Sequence, residues 1–186
     1  MSLGALLLPI VVAALLVWIA SAIAWTVAPH HKTDFSVIPD QDDFMSNVGG
    51  RSLSPGQYWF PYSRDQREMQ SPEMIAKMEK GPVGLLTVWK SGKPNMAKPL
   101  VMTFIYMLAV SFVVAYLASN TLEAGDPYGQ KFRVTSTIAF LAYGGGLFWD
   151  SIWFGTPWTR TWKSLVDCAV YAVLTGGAFA GLGPEM

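Results

Sequence analysis

A chain of 186 residues with 52% hydrophobic and only 14% charged residues is too apolar for a soluble domain of this size, where charged residues make up about 25%. The 13 Lys and Arg balance the 13 Asp and Glu, so the basic face that a nucleic-acid partner requires is missing. The single cysteine, Cys168, excludes both a disulfide framework and a cysteine-based zinc site and reads as a small buried hydrophobe.

Residues 1–28 read as a first transmembrane helix, because the stretch 3–27 carries no charge and exceeds the roughly 20 residues that cross a bilayer core. Pro9 is expected to kink it or to mark the end of its first turns. Ala22-Ile23-Ala24 has the small-x-small form of a signal-peptide cleavage site, but the basic region before it is missing, so an uncleaved anchor is expected. The helix runs into Ala28-Pro29-His30-His31-Lys32-Thr33-Asp34, which holds both histidines of the chain. His30, His31 and Asp34 have the chemistry of metal ligands, and either histidine could be an axial ligand to a haem or a chlorin. Adjacent histidines cannot clamp the two faces of one haem, so a polar collar at the membrane face is the simpler expectation, and no metal is assigned.

Residues 29–98 form an extramembrane α+β segment. Its first part is acidic and loop-like, with Asp40, Asp42 and Asp43 spaced unlike an EF-hand, and a solvated turn is expected there. Residues 57–62 suggest a short edge strand, since Pro61 cannot donate to a central ladder. Ser71-Pro72-Glu73 opens a helix that Gly81-Pro82 stops near residue 80. Residues 83–89 read as a second strand.

The second span covers 99–119, with Pro99 at its start, and a polar connector covers 120–133. The third span covers 134–154 and contains Gly144, Gly145 and Gly146, each costing about 1 kcal/mol against Ala in an exposed helix. A neighbouring helix pressed on the bare backbone is the expected compensation. A turn at 155–163 leads to the fourth span at 164–183, where Gly177 and Gly181 have small-xxx-small spacing for close helix packing. Around the turn, Trp149, Trp153, Trp158 and Trp162 form an aromatic belt of the kind that marks a membrane–water boundary. Gly155, Thr156 and Pro157 supply its bend.

Lys32, Lys90, Lys93, Lys98, Arg160 and Lys163 flank one set of helix ends, against Lys131 and Arg133 at the other. The positive-inside rule then places 29–98 in the cytoplasm and both termini outside. Asp150 and Asp167 approach the same face across the hairpin. They are expected to form structural ion pairs, Asp150 with Arg160 and Asp167 with Lys163 four residues before it. A proton-coupled channel using Asp150 and Asp167 is the alternative reading. The chain holds no G-x-S-x-G, H-E-x-x-H, Walker or C-x-x-C-H motif, so no enzyme is expected.

Trp25 and His30 after one anchor helix, then Gly56-x-Tyr58-x-x-Pro61, then Ser71-Pro72-Glu73-Met74 leading into Gly81-Pro82, give a layout that resembles a family of small bacterial four-helix inner-membrane proteins. That resemblance implies a bacterial inner-membrane origin and carries no activity. The expected architecture is a mainly α membrane protein with four transmembrane helices and a small α+β insertion between the first two. The expected role is a non-catalytic structural or accessory subunit of a larger membrane complex, for example a respiratory or photosynthetic energy-converting one, with the bilayer and other membrane subunits as partners. A pigment- or haem-contacting subunit using His30 or His31 is a further alternative, although the sequence requires no cofactor.

Overall fold

A bilayer offers no water to backbone N–H and C=O groups, so the long uncharged stretches must satisfy them internally, and they do so as helices. The computed structural model describes residues 3–123 and 125–183. In chain order its elements are a 3-10 turn (Leu3–Leu6), α1 (Leu7–Thr26), a second 3-10 turn (Pro29–Thr33), α2 (Gln41–Gly49), β1 (Gly56–Phe60), α3 (Gln66–Met69), α4 (Pro72–Lys80), β2 (Gly84–Val88), α5 (Ala97–Thr121), α6 (Tyr128–Gly144), α7 (Leu147–Trp153) and α8 (Trp158–Leu182). Ser36–Pro94 forms one compact unit and the rest of the described chain forms another.

In the larger unit α1, α5, α6 and α8 pack together. Their shared core is built from small and branched residues, among them Ala13, Val114, Ala115, Ala139 and Ala172, which let helix backbones approach closely where no hydrophobic effect drives association. Neighbouring helices run antiparallel. Trp18, late in α1, donates its indole N–H to the carbonyl of Leu100, early in α5, at 3.1 Å. The start of α6 meets the end of α8, where Gly176 faces Phe132 and Ser136, and the end of α6 meets the start of α8, where Gly144 faces Leu165 and Cys168. Pro9 lies in the first turn of α1, directly after the 3-10 turn over Leu3–Leu6.

Among the described residues three helices, not four, are long and apolar enough to cross a membrane: Leu3–Thr26, Ala97–Thr121 and Trp158–Leu182. The expected third span is corrected, because the triple glycine divides it. α6 stops at Gly144, and the chain restarts as α7 at Leu147. The 17 residues of α6 rise about 26 Å, short of a core of about 30 Å, and Lys131 and Arg133 fall inside its first turns rather than in a connector. Of the three glycines, Gly144 is the one pressed by a neighbour, with Leu165 Cδ2 3.3 Å from where a Cβ would sit, whereas space beside Gly146 is open. In α8 the close approach falls at Gly176, while nothing lies within 4 Å of an added Cβ at Gly177 or Gly181. α8 begins at Trp158, so the bend is shorter than its expected extent, and Gly155 takes a positive φ of 71° there. All four belt tryptophans are exposed.

The smaller unit holds a two-stranded antiparallel sheet in which Gly56 pairs with Val88, Tyr58 with Leu86 and Phe60 with Gly84. The Phe60 ring lies over Gly84, 3.0 Å from an added Cβ, so glycine leaves room for the aromatic. The acidic stretch is a helix, α2, and not a turn. Asp42 and Asp43 sit in its first turn, where the helix dipole favours carboxylates, and Asn47 donates back to the Asp43 carboxylate at 3.0 Å. α4 starts as its residues suggest, with Ser71 Oγ accepting from the Met74 N–H at 3.2 Å. Ser71→Ala is therefore expected to destabilise this unit by about 1 kcal/mol, read as greater amide exchange over α4; unchanged exchange there would show that the cap is dispensable.

Candidate functional site

The chemistry-bearing side chains meet where the turn after α1 touches α8. Ala28 is extended and Pro29 opens the 3-10 turn, its fixed φ suiting a first helical position. Residues three apart eclipse in such a turn, so His31 and Asp34 share an edge, and His31 Nδ1 lies 2.6 Å from Asp34 Oδ2. Trp25, from the last turn of α1, stacks on the His31 ring with centroids 4.0 Å apart and planes 2° apart. The His30 ring lies tilted against it, with centroids 4.2 Å apart.

α8 supplies the opposing groups. Lys163 and Asp167 are four residues apart and share a face, but they do not pair with each other; each reaches across to the turn. Lys163 Nζ donates to Asp34 Oδ1 and to Thr33 Oγ1, both at 2.7 Å. Asp167 accepts with both oxygens: Oδ1 lies 3.0 Å from His30 Nε2 and Oδ2 lies 2.6 Å from His31 Nε2. The result is a continuous polar chain, His30–Asp167–His31–Asp34–Lys163. Within it the side chains of Asp34 and His31 are 0% and 3% exposed, and that of His30 is 34% exposed.

Between two carboxylates His31 can donate from both ring nitrogens only as an imidazolium. Burial opposes that charge, but the hydrogen bonds and charges of Asp167 and Asp34 outweigh it, and His31 titrates above its ordinary 6.5. Burial likewise opposes the charged form of Asp34, and the hydrogen bonds and charges of Lys163 and His31 overcome it and hold the carboxyl below its ordinary 3.8. The stability that His31 contributes is complete below pH 6.5 and is lost as pH rises through its raised value. The contribution of Asp34 is complete above pH 3.8 and is lost as pH falls through its lowered value. Thermal melts of the chelator-treated protein in detergent are thus expected to plateau between pH 3.8 and 6.5 and to decline on either side. A melting temperature that keeps climbing above pH 6.5 would contradict this.

The other expected ion pair takes a different form. Asp150 and Arg160 line a depression of about 90 Å³ with Thr156 and Ser164, but no ion pair joins them among the described residues. The Arg160 guanidinium instead lies 4.9 Å over the Phe35 ring, a favourable cation–π geometry. The backbone carbonyl of Asp150 closes the end of α7 by accepting from Phe154 and Thr156. For a haem or chlorin, the Nε2 of each histidine is already engaged by Asp167.

Next to the cluster, an open cleft of about 370 Å³ runs between α1, α5 and α8, walled by Trp18, Trp25, Leu100 and Tyr106 and floored by Cys168 and Tyr171. What sequence reasoning missed is the junction itself. The turn residues and the α8 residues were each legible as charged or ligating, but not as one site, and the matching steps of three from His31 to Asp34 and four from Lys163 to Asp167 were the available signal. No protein-family model matches the chain, and no curated protein or solved structure matches it either.

Proposed function

We propose that the protein is a non-catalytic accessory subunit of a larger membrane complex in a bacterial inner membrane, with residues 29–98 on the cytoplasmic side. The observation that carries this reading is the open aromatic cleft of about 370 Å³. It sits beside a cluster in which His30, His31, Asp34, Lys163 and Asp167 bond to one another, while each apolar span leaves more than half of its most apolar window unburied. Such a surface has lipid or neighbouring helices as its solvent, and a walled cleft within it suits a protruding side chain of a neighbour better than mobile acyl chains.

Within this reading α6 and α7 carry the chain back across the bilayer as a broken helix. The end of α1, the start of α5 and the start of α8 are tied together by the Trp18–Leu100 bond and the histidine–Asp167 contacts. The end of α5 therefore lies on the far side, and the chain must return before α8 begins. Non-helical backbone at membrane depth is tolerated where protein covers it, and α8 is the cover at Gly144.

The test is a tagged purification in mild detergent followed by native mass determination. Stoichiometric partner chains are expected, and Ala22→Trp, which fills the cleft, is expected to release them. A clean monomer or homo-oligomer overturns the proposal.

A further inference from the structure

We propose that His30, His31 and Asp167 form a binding site for a divalent transition-metal ion of the zinc type at the membrane face. Three donors of suitable chemistry converge there, Nε2 of each histidine and the carboxylate of Asp167, and one ligand atom from each lies within 4.8 Å of the others. Two imidazoles and one carboxylate suit zinc and its first-row neighbours, whereas calcium and magnesium require oxygen donors. Three protein ligands leave a fourth position for water.

Two further features suit this role. A metal-bound histidine almost always passes its other N–H to a carboxylate or carbonyl, which fixes the tautomer and the ring orientation. His31 has that partner already: its Nδ1 lies 2.6 Å from Asp34, whose other oxygen is held by Lys163 at 2.7 Å. The ring plane is set by Trp25, stacked at 4.0 Å. The cation would take the place now held by the Nε2 proton of His31, which leaves to solvent.

The geometry also says which ligand must move. Bonds of about 2.0–2.2 Å place tetrahedral donors roughly 3.3–3.5 Å apart, so the widest separation in the cluster, up to 4.8 Å, closes by about 1.3–1.5 Å, while the 2.6 Å contact between His31 and Asp167 opens. His31 is buried and doubly bonded, and Asp167 is fixed on α8. His30, 34% exposed and on a five-residue turn, is the arm that closes. A purely structural latch between the turn and α8 needs only His31. The second imidazole on the same carboxylate is what a ligand set adds.

The experiment uses the full chain in detergent, stripped with a chelator and titrated with Zn²⁺ against a chromogenic competitor, with Mg²⁺ as control. One Zn²⁺ per chain is expected, with no Mg²⁺ binding at the same concentration. Asp34→Asn is expected to weaken Zn²⁺ affinity about 10–100-fold at unchanged stoichiometry. His30→Gln is expected to abolish tight binding, with circular dichroism and gel filtration of the metal-free variant showing that the chain is folded. X-ray absorption at the zinc edge of the wild-type protein tests the same ligand set without any substitution. Two imidazoles and no sulfur are expected, and a sulfur neighbour near 2.3 Å would move the ion to Cys168 and overturn the assignment. A wild-type chain that binds no stoichiometric Zn²⁺, or a His30→Gln chain that binds as tightly, overturns it equally.

Discussion

Asp167→Ala is expected to lower the stability of the helical unit by about 3–5 kcal/mol, because it deletes one partner of a buried ionic network and leaves the others uncompensated. Asp167 is the only group on α8 that meets both histidines. Without it the His31 imidazolium, 3% exposed in its side chain, keeps Asp34 but faces α8 with a bare N–H. His30, 4.2 Å away, loses its carboxylate as well. Part of the loss comes from the link between α1 and α8, so both helices should loosen together. The measurement is reversible unfolding in mixed detergent micelles, run without metal. Asp150→Ala is the internal control: it makes no ion pair among the described residues and should change stability by no more than about 0.5 kcal/mol. Equal effects at the two positions would mean that Asp167 is a surface charge and that the cluster is not a buried network.

Gly176→Val is expected to be the most damaging substitution in the packed interior. A Cβ there would lie 2.8 Å from Ser136 Cβ and 3.1 Å from the Phe132 carbonyl oxygen. The carbonyl belongs to the backbone of α6 and cannot rotate away, so the helices must separate. Overpacking of this kind costs about 1–3 kcal/mol, sometimes more, and the separation would spread along an antiparallel pair joined again at Gly144. Gly177→Ala offers the contrast. Nothing lies within 4 Å of an added Cβ there, so the variant should gain up to about 1 kcal/mol from helix propensity. If Gly176→Val melts like wild type while Gly177→Ala falls, the register of α8 on α6 is one residue away from that described.

Much of this fold is legible in the sequence, for physical reasons that differ from part to part. The start of α4 is a local event, written in Ser71-Pro72, and so are the two short strands; the bend at Gly155-Thr156-Pro157 is legible too, but α8 begins at Trp158, inside the stretch expected to be turn. Two of the long spans, α1 and α5 beyond Lys98, follow from the absence of charge over a bilayer's thickness, whereas α8 carries Arg160, Lys163 and Asp167 in its first turns and is uncharged only beyond them. The third expected span fails because hydropathy averages over Gly144, Gly145 and Gly146, while backbone entropy acts at each of them. α2 was hidden because its stabilisation is electrostatic, carried by Asp42 and Asp43 in the first turn, in a stretch with little apolar periodicity. The choice of Gly176 over Gly177 depends on the rotation of α8 about its axis, which spacing alone leaves open. The same holds for the cluster. Lys163 and Asp167 are spaced to pair with each other, and only the arrival of Asp34 and His31 from a distant segment redirects both.

That distance also matters while the protein is being made. His31 and Asp167 are 136 residues apart in sequence. At about 5–20 residues per second, α1 is inserted roughly 7–27 seconds before its acidic partner leaves the ribosome. For that interval His30, His31 and Asp34 must be served by headgroups and water at the membrane surface, which holds the end of α1 at the interface instead of letting it sink. The first helix thus waits, anchored, for the last, and any chain cut short before α8 leaves that latch without its catch.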